Sequence, residues 1–388
     1  MTQNSPTKPF FADQPFQRIS PEGQHFFFGY YDIPAFDPSG SWHLYHKVSF
    51  IDRLPEKEDM AEIGLIEIST GQATPLAETR AWNFQQGSLL RWLSGDEIIH
   101  NDFQDNRFVS IIRNTATGES RSLDHPLAHV CDSGRWGVSV NFSRLFDYRP
   151  GYGYVNIPDP FASENCPEND GITVVDIQQN RSDMILTYAQ IWDMIHSFYE
   201  RPEKILVNHI TFNPSGTRIL ALVRCRNTDG RGLRTLVMTV DRDGTNPYFI
   251  CAPGHASHYH WKDDKTIAFW MTDPNRTQGA TALFEVTDQT PQKEPIDPDF
   301  FLEDGHCSYS PDLTRMLYDS YPDKESFRHL WVYDLNDRTG NELGRFFSPP
   351  DLHHDVRCDL HPRWSPQGSA ISFDSAHEGF RGIYYMNV

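Results

Sequence analysis

The sequence predicts an all-β protein, a seven-bladed β-propeller, on three observations. A turn rich in Asp, Pro, Ser and Gly recurs along the chain, each time followed by a strand of alternating apolar residues. In its last four copies a histidine opens the phrase, two residues separate it from an aromatic, and the turn comes next. These histidines stand at 209, 258, 306 and 361, so the intervals are 49, 48 and 55 residues. A period of about 50 residues with strand-and-turn punctuation signals a propeller. In that architecture the equivalent point of every blade faces one central channel.

The seven starts follow in order. Phe36-Asp-Pro-Ser-Gly40 leads into Trp42–Phe50, Trp92-Leu-Ser-Gly-Asp96 into Ile98–Phe103, and Cys131-Asp-Ser-Gly134 into Trp136–Phe142. The histidine copies are His209-Ile-Thr-Phe212, His258-Tyr-His-Trp261, His306-Cys-Ser-Tyr309 and His361-Pro-Arg-Trp364. Further short β-rich runs fill each unit, as with Arg315–Ser320, His329–Asp334 and Glu342–Phe347 in the sixth. The seventh unit holds Asp359–Ser365, Ala370–Ser375 and Gly382–Val388 and lacks a fourth strand. Phe16–Ile19 is expected to supply it, so that the N- and C-terminal strands pair and no sheet edge is left open. The whole chain, 1–388, reads as one propeller domain with two departures. Residues 141–170 form a long insertion loop, of a length that is usually functional. Residues 188–201, with Ile191, Trp192, Ile195 and Phe198 at three- and four-residue steps, predict one amphipathic helix.

The formal net charge is −19. Binding to nucleic acid phosphate needs a basic surface, so that partner class is excluded. An anionic sugar in a locally basic channel remains compatible with it. The six cysteines show no disulfide-scaffold spacing and are expected as thiols. The opening residues carry no apolar leader run, and no stretch reaches the roughly 20 apolar residues of a membrane span. The expectation is a cytoplasmic monomer with no membrane partner.

Three constellations could carry chemistry. The first is His258, His306, Cys358 and His361 at the starts of the fifth to seventh blades. Zinc accepts imidazole and thiolate, so a divalent metal fits, with manganese or calcium as further options. The same histidines could equally bond to neighbouring backbone as channel fillers. The second is His25-Phe-Phe-Phe-Gly-Tyr30-Tyr31-Asp32 with His43 and His46. Imidazole titrates near neutrality and can act as base or acid, while three consecutive phenylalanines argue for a packed strand. The third is Arg144, Tyr148, Arg149, Tyr152 and Tyr154 in the insertion. Paired arginines can clamp a carboxylate, or Arg144 can pair with local acids such as Asp147 and Asp159. Arg224, in the strand after His209, could add positive charge. No Gly-x-Ser-x-Gly, phosphate loop or dinucleotide fingerprint is present.

The blade starts and the phrase His361-Pro-Arg-Trp-Ser-Pro resemble those of the seven-bladed oligogalacturonate lyases. The opening His25…Gly-Tyr-Tyr-Asp…His46 resembles the propeller-type ulvan lyases. Both cleave uronate-containing glycans. The first resemblance implies a metal that binds the substrate carboxylate, with His361 as its last protein ligand. The family has a glutamine and a further histidine just before that position, where this chain has Val356 and Asp359 with Cys358 between them. That departure tilts the expected metal from manganese to zinc. The second resemblance implies a histidine–tyrosine–arginine set. His25 and His46 match by phrase, Tyr148 and Arg144 by blade. The implied activity is β-elimination on an anionic oligosaccharide, with His25 or His46 as base and Tyr148 or Tyr152 as acid. Arg144 and Arg149 would neutralise the carboxylate, and Tyr31, His209 and Arg224 would help to bind substrate. A metal-dependent glycan hydrolase and a non-catalytic ligand- or protein-binding propeller are the alternatives.

Overall fold

The recurring turn is built by its polar residues. In the first blade Asp37 Oδ1 accepts the backbone N–H of Ser41 and of Trp42, and Gly40, at φ +72°, donates its N–H to Asp37 O. Asn213 does the same for Thr217 and Arg218 in the fourth blade, with Gly216 at φ +68°. In the sixth, Ser310 Oγ accepts from Arg315 N, and Leu313 occupies the left-handed position at φ +59°. A left-handed residue after a tight turn gives the hairpin the twist of its flanking strands. This is why an Asp, Asn or Ser followed by a left-handed residue marks these blade starts.

The structure is a computed structural model and describes residues 8–199, 204–226, 233–273 and 281–388. It is the seven-bladed β-propeller that the repeats predict, with seven antiparallel sheets met in chain order. The chain divides into two compact units. The first comprises residues up to 100, 113–120 and 303–388; the second comprises 101–112 and 121–302.

In the first unit, the first blade contains His25–Phe27, Trp42–Val48, Ala61–Glu67 and Gln72–Thr79. The sixth contains Cys307–Tyr309, Arg315–Asp319, Phe327–Asp334 and Thr339–Phe347. The seventh contains Arg363–Trp364, Ala370–Ser375 and Gly382–Asn387. Its fourth strand is Phe16–Arg18, in register Phe16↔Met386 to Arg18↔Tyr384, so the N- and C-terminal strands share a sheet as expected. A feature beyond that expectation is Phe10–Ala12, which adds a fifth strand to the sixth blade along Gly344–Phe346. Phe10 and Phe16 meet edge to face at 4.9 Å and pack on a core that includes Leu330, Phe346, Phe373 and Met386.

In the second unit, the third blade runs from His129–Val130 to Arg181–Thr187. The fourth contains Ile205–Phe212, Arg218–Arg226, Leu233–Asp241 and Tyr248–Gly254. The fifth runs from Ala256–Trp261 to Lys293–Pro295. Leu220, Val237, Trp261, Phe269 and Phe284 belong to its shared core. The second blade, from Arg91–Ser94 to Ser120–Leu123, draws residues from both units and has the order of a simple meander.

Two helices interrupt the β pattern. Tyr188–Ile195 starts on a capping box, where Thr187 and Gln190 each bond the other's backbone N–H, and a 3₁₀ turn His196–Phe198 follows it. The helical segment therefore ends short of residue 201, and residues 200–203 lie outside those described. Phe142–Tyr148 is a second helix inside the stretch expected as loop, started by the Asn141 side chain on Arg144 N. All six cysteines are free thiols. Among the described residues no helix is long and apolar enough to cross a membrane.

Candidate functional site

In the sixth blade, Cys307 pairs with Tyr318 across the hairpin, which sets His306 opposite Asp319. The His306 Nδ1 lies 2.9 and 3.0 Å from the two Asp319 carboxylate oxygens. Asp319 also accepts the backbone N–H of His306 at 2.8 Å and of His361 at 3.2 Å. An ionised carboxylate can only accept, so Nδ1 donates to Asp319 and Nε2 is the ring nitrogen left to meet a cation. A carboxylate that orients an imidazole in this way is the usual support of a metal-ligating histidine.

His361 sits in the left-handed region at φ +41°, a strained conformation for a side chain of this size. Its ring lies 4.3 Å from that of His306, at 82°. His361 Nε2 is buried without a hydrogen-bond partner, and the nearest carboxylate oxygen, Asp359 Oδ2, stands 3.7 Å away. That is too long for a hydrogen bond. An unsatisfied buried polar atom costs about 1–3 kcal/mol, which a bound ligand would recover. Burial, and then the neighbouring His306, hold the His361 imidazole well below its ordinary pKa, so it is neutral and able to donate a lone pair.

Asp359 completes the group. Donor atoms of His306, Asp359 and His361 all lie within 4.8 Å of one another, and all three residues are buried. Arg328 Nη2 contacts Asp359 Oδ1 at 2.7 Å, and Arg357 Nε contacts Oδ2 at 2.7 Å. Burial pushes the carboxyl upward, but the two guanidiniums outweigh it and hold Asp359 well below the usual carboxylate range. Two imidazoles and one carboxylate are a donor set for a divalent cation, and the unsatisfied His361 Nε2 fits one.

Tyr30 and Tyr31 close over the same group. The Tyr30 ring is 4.9 Å from His361 and 5.8 Å from His306; the Tyr31 ring is 5.0 Å from His306. Their segment is pinned to the seventh blade. Asp374 Oδ2 accepts Phe28 N and Gly29 N, Arg363 Nη2 pairs with Asp374 Oδ1 at 2.8 Å, and Arg363 Nη1 reaches Gly29 O. Gly29, at φ +140°, passes so close to Gln86 that a Cβ would lie 3.1 Å from its carbonyl.

Of the four residues expected to hold a metal, the structure brings His306 and His361 together. Cys358 turns the other way, into an apolar cluster with Leu352 and Ala376, where burial raises its thiol to about 11. Its neighbour Asp359 takes the place in the group, which removes the thiolate that favoured zinc. His258 belongs to the second unit, and its Nδ1 faces Ser257 Oγ at 3.1 Å.

Of the four expected catalytic residues, His25 and His46 lie in the first unit and Arg144 and Tyr148 in the second. His46 is saturated: Nδ1 meets Phe28 O at 2.7 Å, and Nε2 accepts Ser88 N–H at 3.0 Å. Burial lowers its pKa to about 3. His25 is half-buried, and burial and the Arg381 charge both lower its pKa. Arg144 is wholly buried in the second unit. Its Nε donates to Ile205 O, Nη1 to Asp159 and Phe161 O, and Nη2 to Glu164 O and Asn165 O. The guanidinium clamps the insertion from within and keeps no face for a substrate, so the pairing with Asp159 is what the arginine is for. Tyr148 lies under Lys204 Nζ at 5.1 Å. Among the expected substrate-binding residues, Tyr31 joins the histidine pair. Arg149 and Arg224 share one acceptor, Asn208 Oδ1. Tyr152 lies beneath the Arg149 guanidinium at 4.4 Å, and His209 stacks on Tyr259 at 4.2 Å.

Asp319, Arg328 and Arg357 escaped the sequence reading, and Asp359 entered it only as a departure from a family pattern. A signal for Asp319 existed. The turn phrase sets Ser310 against Arg315, and counting outward along the hairpin sets His306 against Asp319.

No family model matches the chain, and no curated protein matches it. Solved structures do. An oligogalacturonate lyase in complex with manganese is 16% identical, over 98% of this chain and 97% of that one, with a TM-score of 0.69. An oligogalacturonate lyase from Vibrio parahaemolyticus is 16% identical, over 98% and 96%, with a TM-score of 0.68. The tricorn protease is 12% identical, over 95% of this chain and 34% of that one, with a TM-score of 0.55. At such identities the likeness is one of fold.

Proposed function

We propose that the protein is a carbohydrate-active lyase that cleaves uronate-containing oligosaccharides by β-elimination, with a divalent cation held by His306, Asp359 and His361. The observation that carries this reading is the buried His361 Nε2, which lacks a partner beside an imidazole already oriented by Asp319. The fold shared with two oligogalacturonate lyases, one of them bound to manganese, supports the substrate class.

The chemistry sets the demands. Elimination takes the proton from C5 of the uronate, breaks the bond from C4 to the leaving oxygen, and forms a C4=C5 double bond. A bound cation would neutralise the uronate carboxylate as charge develops at C5. Asp319 keeps the His306 lone pair aimed at the group, and Arg328 with Arg357 keep Asp359 ionised. Tyr30 and Tyr31 are the hydroxyl-bearing groups packed on the imidazoles, so they replace His25 and His46 as the proposed proton carriers. One tyrosine, starting as phenolate, can take the C5 proton and, as the phenol so formed, give it to the leaving oxygen if both lie on one face of the sugar.

The test is an absorbance screen on uronate oligosaccharides, joined to elemental analysis of the purified protein. New ultraviolet absorbance from the unsaturated product, lost on chelation and restored by added metal, is the expected result. Reducing ends without that absorbance would make the protein a hydrolase. Neither product, with no metal bound, would leave a non-catalytic binding propeller.

A further inference from the structure

We propose that a cavity beside the two N-terminal strands is a binding site for an uncharged sugar, a hexopyranose. It shares no residue with the cation group, and it stands whether or not that group is catalytic. The cavity, about 680 Å³, lies in the first unit where the chain crosses from the sixth sheet to the seventh. Its size is that of a small-ligand pocket. Phe10 and Phe16 reach it from the two strands, and His377 and Glu378 from the hairpin that joins Ala370–Ser375 to Gly382–Asn387. His377 carries the argument. It is 5% exposed, and its ring packs against Phe10 at 5.5 Å and Tyr384 at 4.7 Å. Nδ1 meets Ser375 Oγ at 2.9 Å, while Nε2 is buried with no hydrogen-bond partner among the described residues. A ligand that reaches this atom recovers the cost of leaving it bare.

The chemistry of the wall selects the ligand. Burial lowers the His377 pKa to about 4, so the ring is neutral near neutrality and asks for a hydrogen bond, not a counter-ion. Ser375 Oγ can donate to Nδ1 or accept from it, so Nε2 is a donor in one tautomer and an acceptor in the other. A hydroxyl serves both; an ammonium or a carboxylate serves only one. The charges at the wall are matched already. Arg18 pairs through Nη1 with Glu378 and through Nη2 with Glu22 at 2.9 Å, and the Tyr384 hydroxyl donates to Glu378 at 2.8 Å. An anionic ligand would face Glu378 and Asp13, and a cationic one would face Arg18. Phe10 and Phe16 meet edge to face at 4.9 Å and are both half-buried, so part of each ring is left for a ligand. The C–H side of a pyranose packs on aromatic carbon, while its hydroxyls turn to Nε2 and to the free lone pairs of the carboxylates.

The test is a calorimetric titration of D-galactose, D-glucose and D-mannose into the full chain, kept in chelator so that the cation group is silent. At least one is expected to bind, with a dissociation constant on the order of 1 mM. The amino sugar and the uronic acid of the hexose that binds put a cation and an anion on the same ring, and each should bind at least about fivefold more weakly. His377→Phe keeps the packed ring and deletes Nε2, and should weaken the neutral sugar about tenfold or more while melting close to the wild type. Asp13→Ala lies on the exposed rim, outside the core, and should weaken it about threefold. It decides the matter even if His377→Phe fails to fold. Binding of none of the three hexoses, or undiminished binding in the folded variants, overturns the site. A charged form that binds as well as the neutral one overturns the choice of ligand.

Discussion

His46 in the first blade and His361 in the seventh are both buried imidazoles, and they differ in what the second ring nitrogen meets. His46 has both nitrogens engaged, by Phe28 O and by Ser88, and Phe27 stacks on its ring at 5.1 Å. Gly87 lies against it so closely that a Cβ would fall 2.2 Å from its Cε1. His361 has its backbone N–H engaged by Asp319 while Nε2 is left bare. Burial alone therefore says nothing about chemistry. The fold has finished satisfying His46, whereas His361 keeps a bare nitrogen beside a second imidazole and a carboxylate.

This contrast can be broken or sharpened by four measurements. His46→Ala should have the largest effect, a loss of about 3–4 kcal/mol in denaturant unfolding, because it leaves a cavity and strands Ser88 N–H. Its metal content should match the wild type; a metal-free but fully stable variant would invert the two roles. His361→Ala should weaken metal binding about 100-fold, and Asp319→Asn about 10–100-fold, read by calorimetry with manganese and zinc. Metal-free His361→Ala should melt close to the metal-free wild type, since it removes an unsatisfied atom.

The third measurement is stability against pH. Burial lowers His43 well below its ordinary value, His46 to about 3 and His377 to about 4. The unfolded chain takes up protons at these positions as pH falls below about 6.5, while the folded chain does not. Their stabilisation is thus complete above about pH 6.5. It falls by about 1.4 kcal/mol per pH unit per histidine on acidification, until about pH 4 for His377 and about pH 3 for His46. Unfolding free energies that stay flat between pH 6.5 and 5 would contradict the packing role of these rings. The smallest effect is expected from Cys358→Ala, about 1 kcal/mol in stability and no change in metal content. Loss of metal there would restore the thiol to the site.

Much of the fold was legible because its turns are local. Asp37, Asn213 and Ser310 each close a hairpin within five residues of themselves, so the blade starts can be read without knowing the rest of the chain. The pairing of Phe16–Arg18 followed from the missing strand in the seventh unit. Phe10–Ala12 did not, since three residues on an already complete sheet leave no periodic trace. The site was half legible. His306 and His361 announce themselves by repeat position, whereas the choice between Cys358 and Asp359 depends on which side of one bend each faces. Arg144 misled because an arginine in a tyrosine-rich insertion looks like a ligand clamp, and only the carbonyls of residues 161, 164, 165 and 205 reveal it as the insertion's own anchor.

The two short strands at the start of the chain have a consequence for how the protein comes into being. Phe10 pairs with Phe346 and Phe16 with Met386, so residues more than about 330 positions apart must meet before either ladder can form. Contacts this distant in sequence are slow to make. Until Gly344–Phe346 and Tyr384–Met386 have been made, the sixth and seventh sheets lack these pairings, and their apolar edges are the part of the nascent chain that a chaperone would have reason to hold.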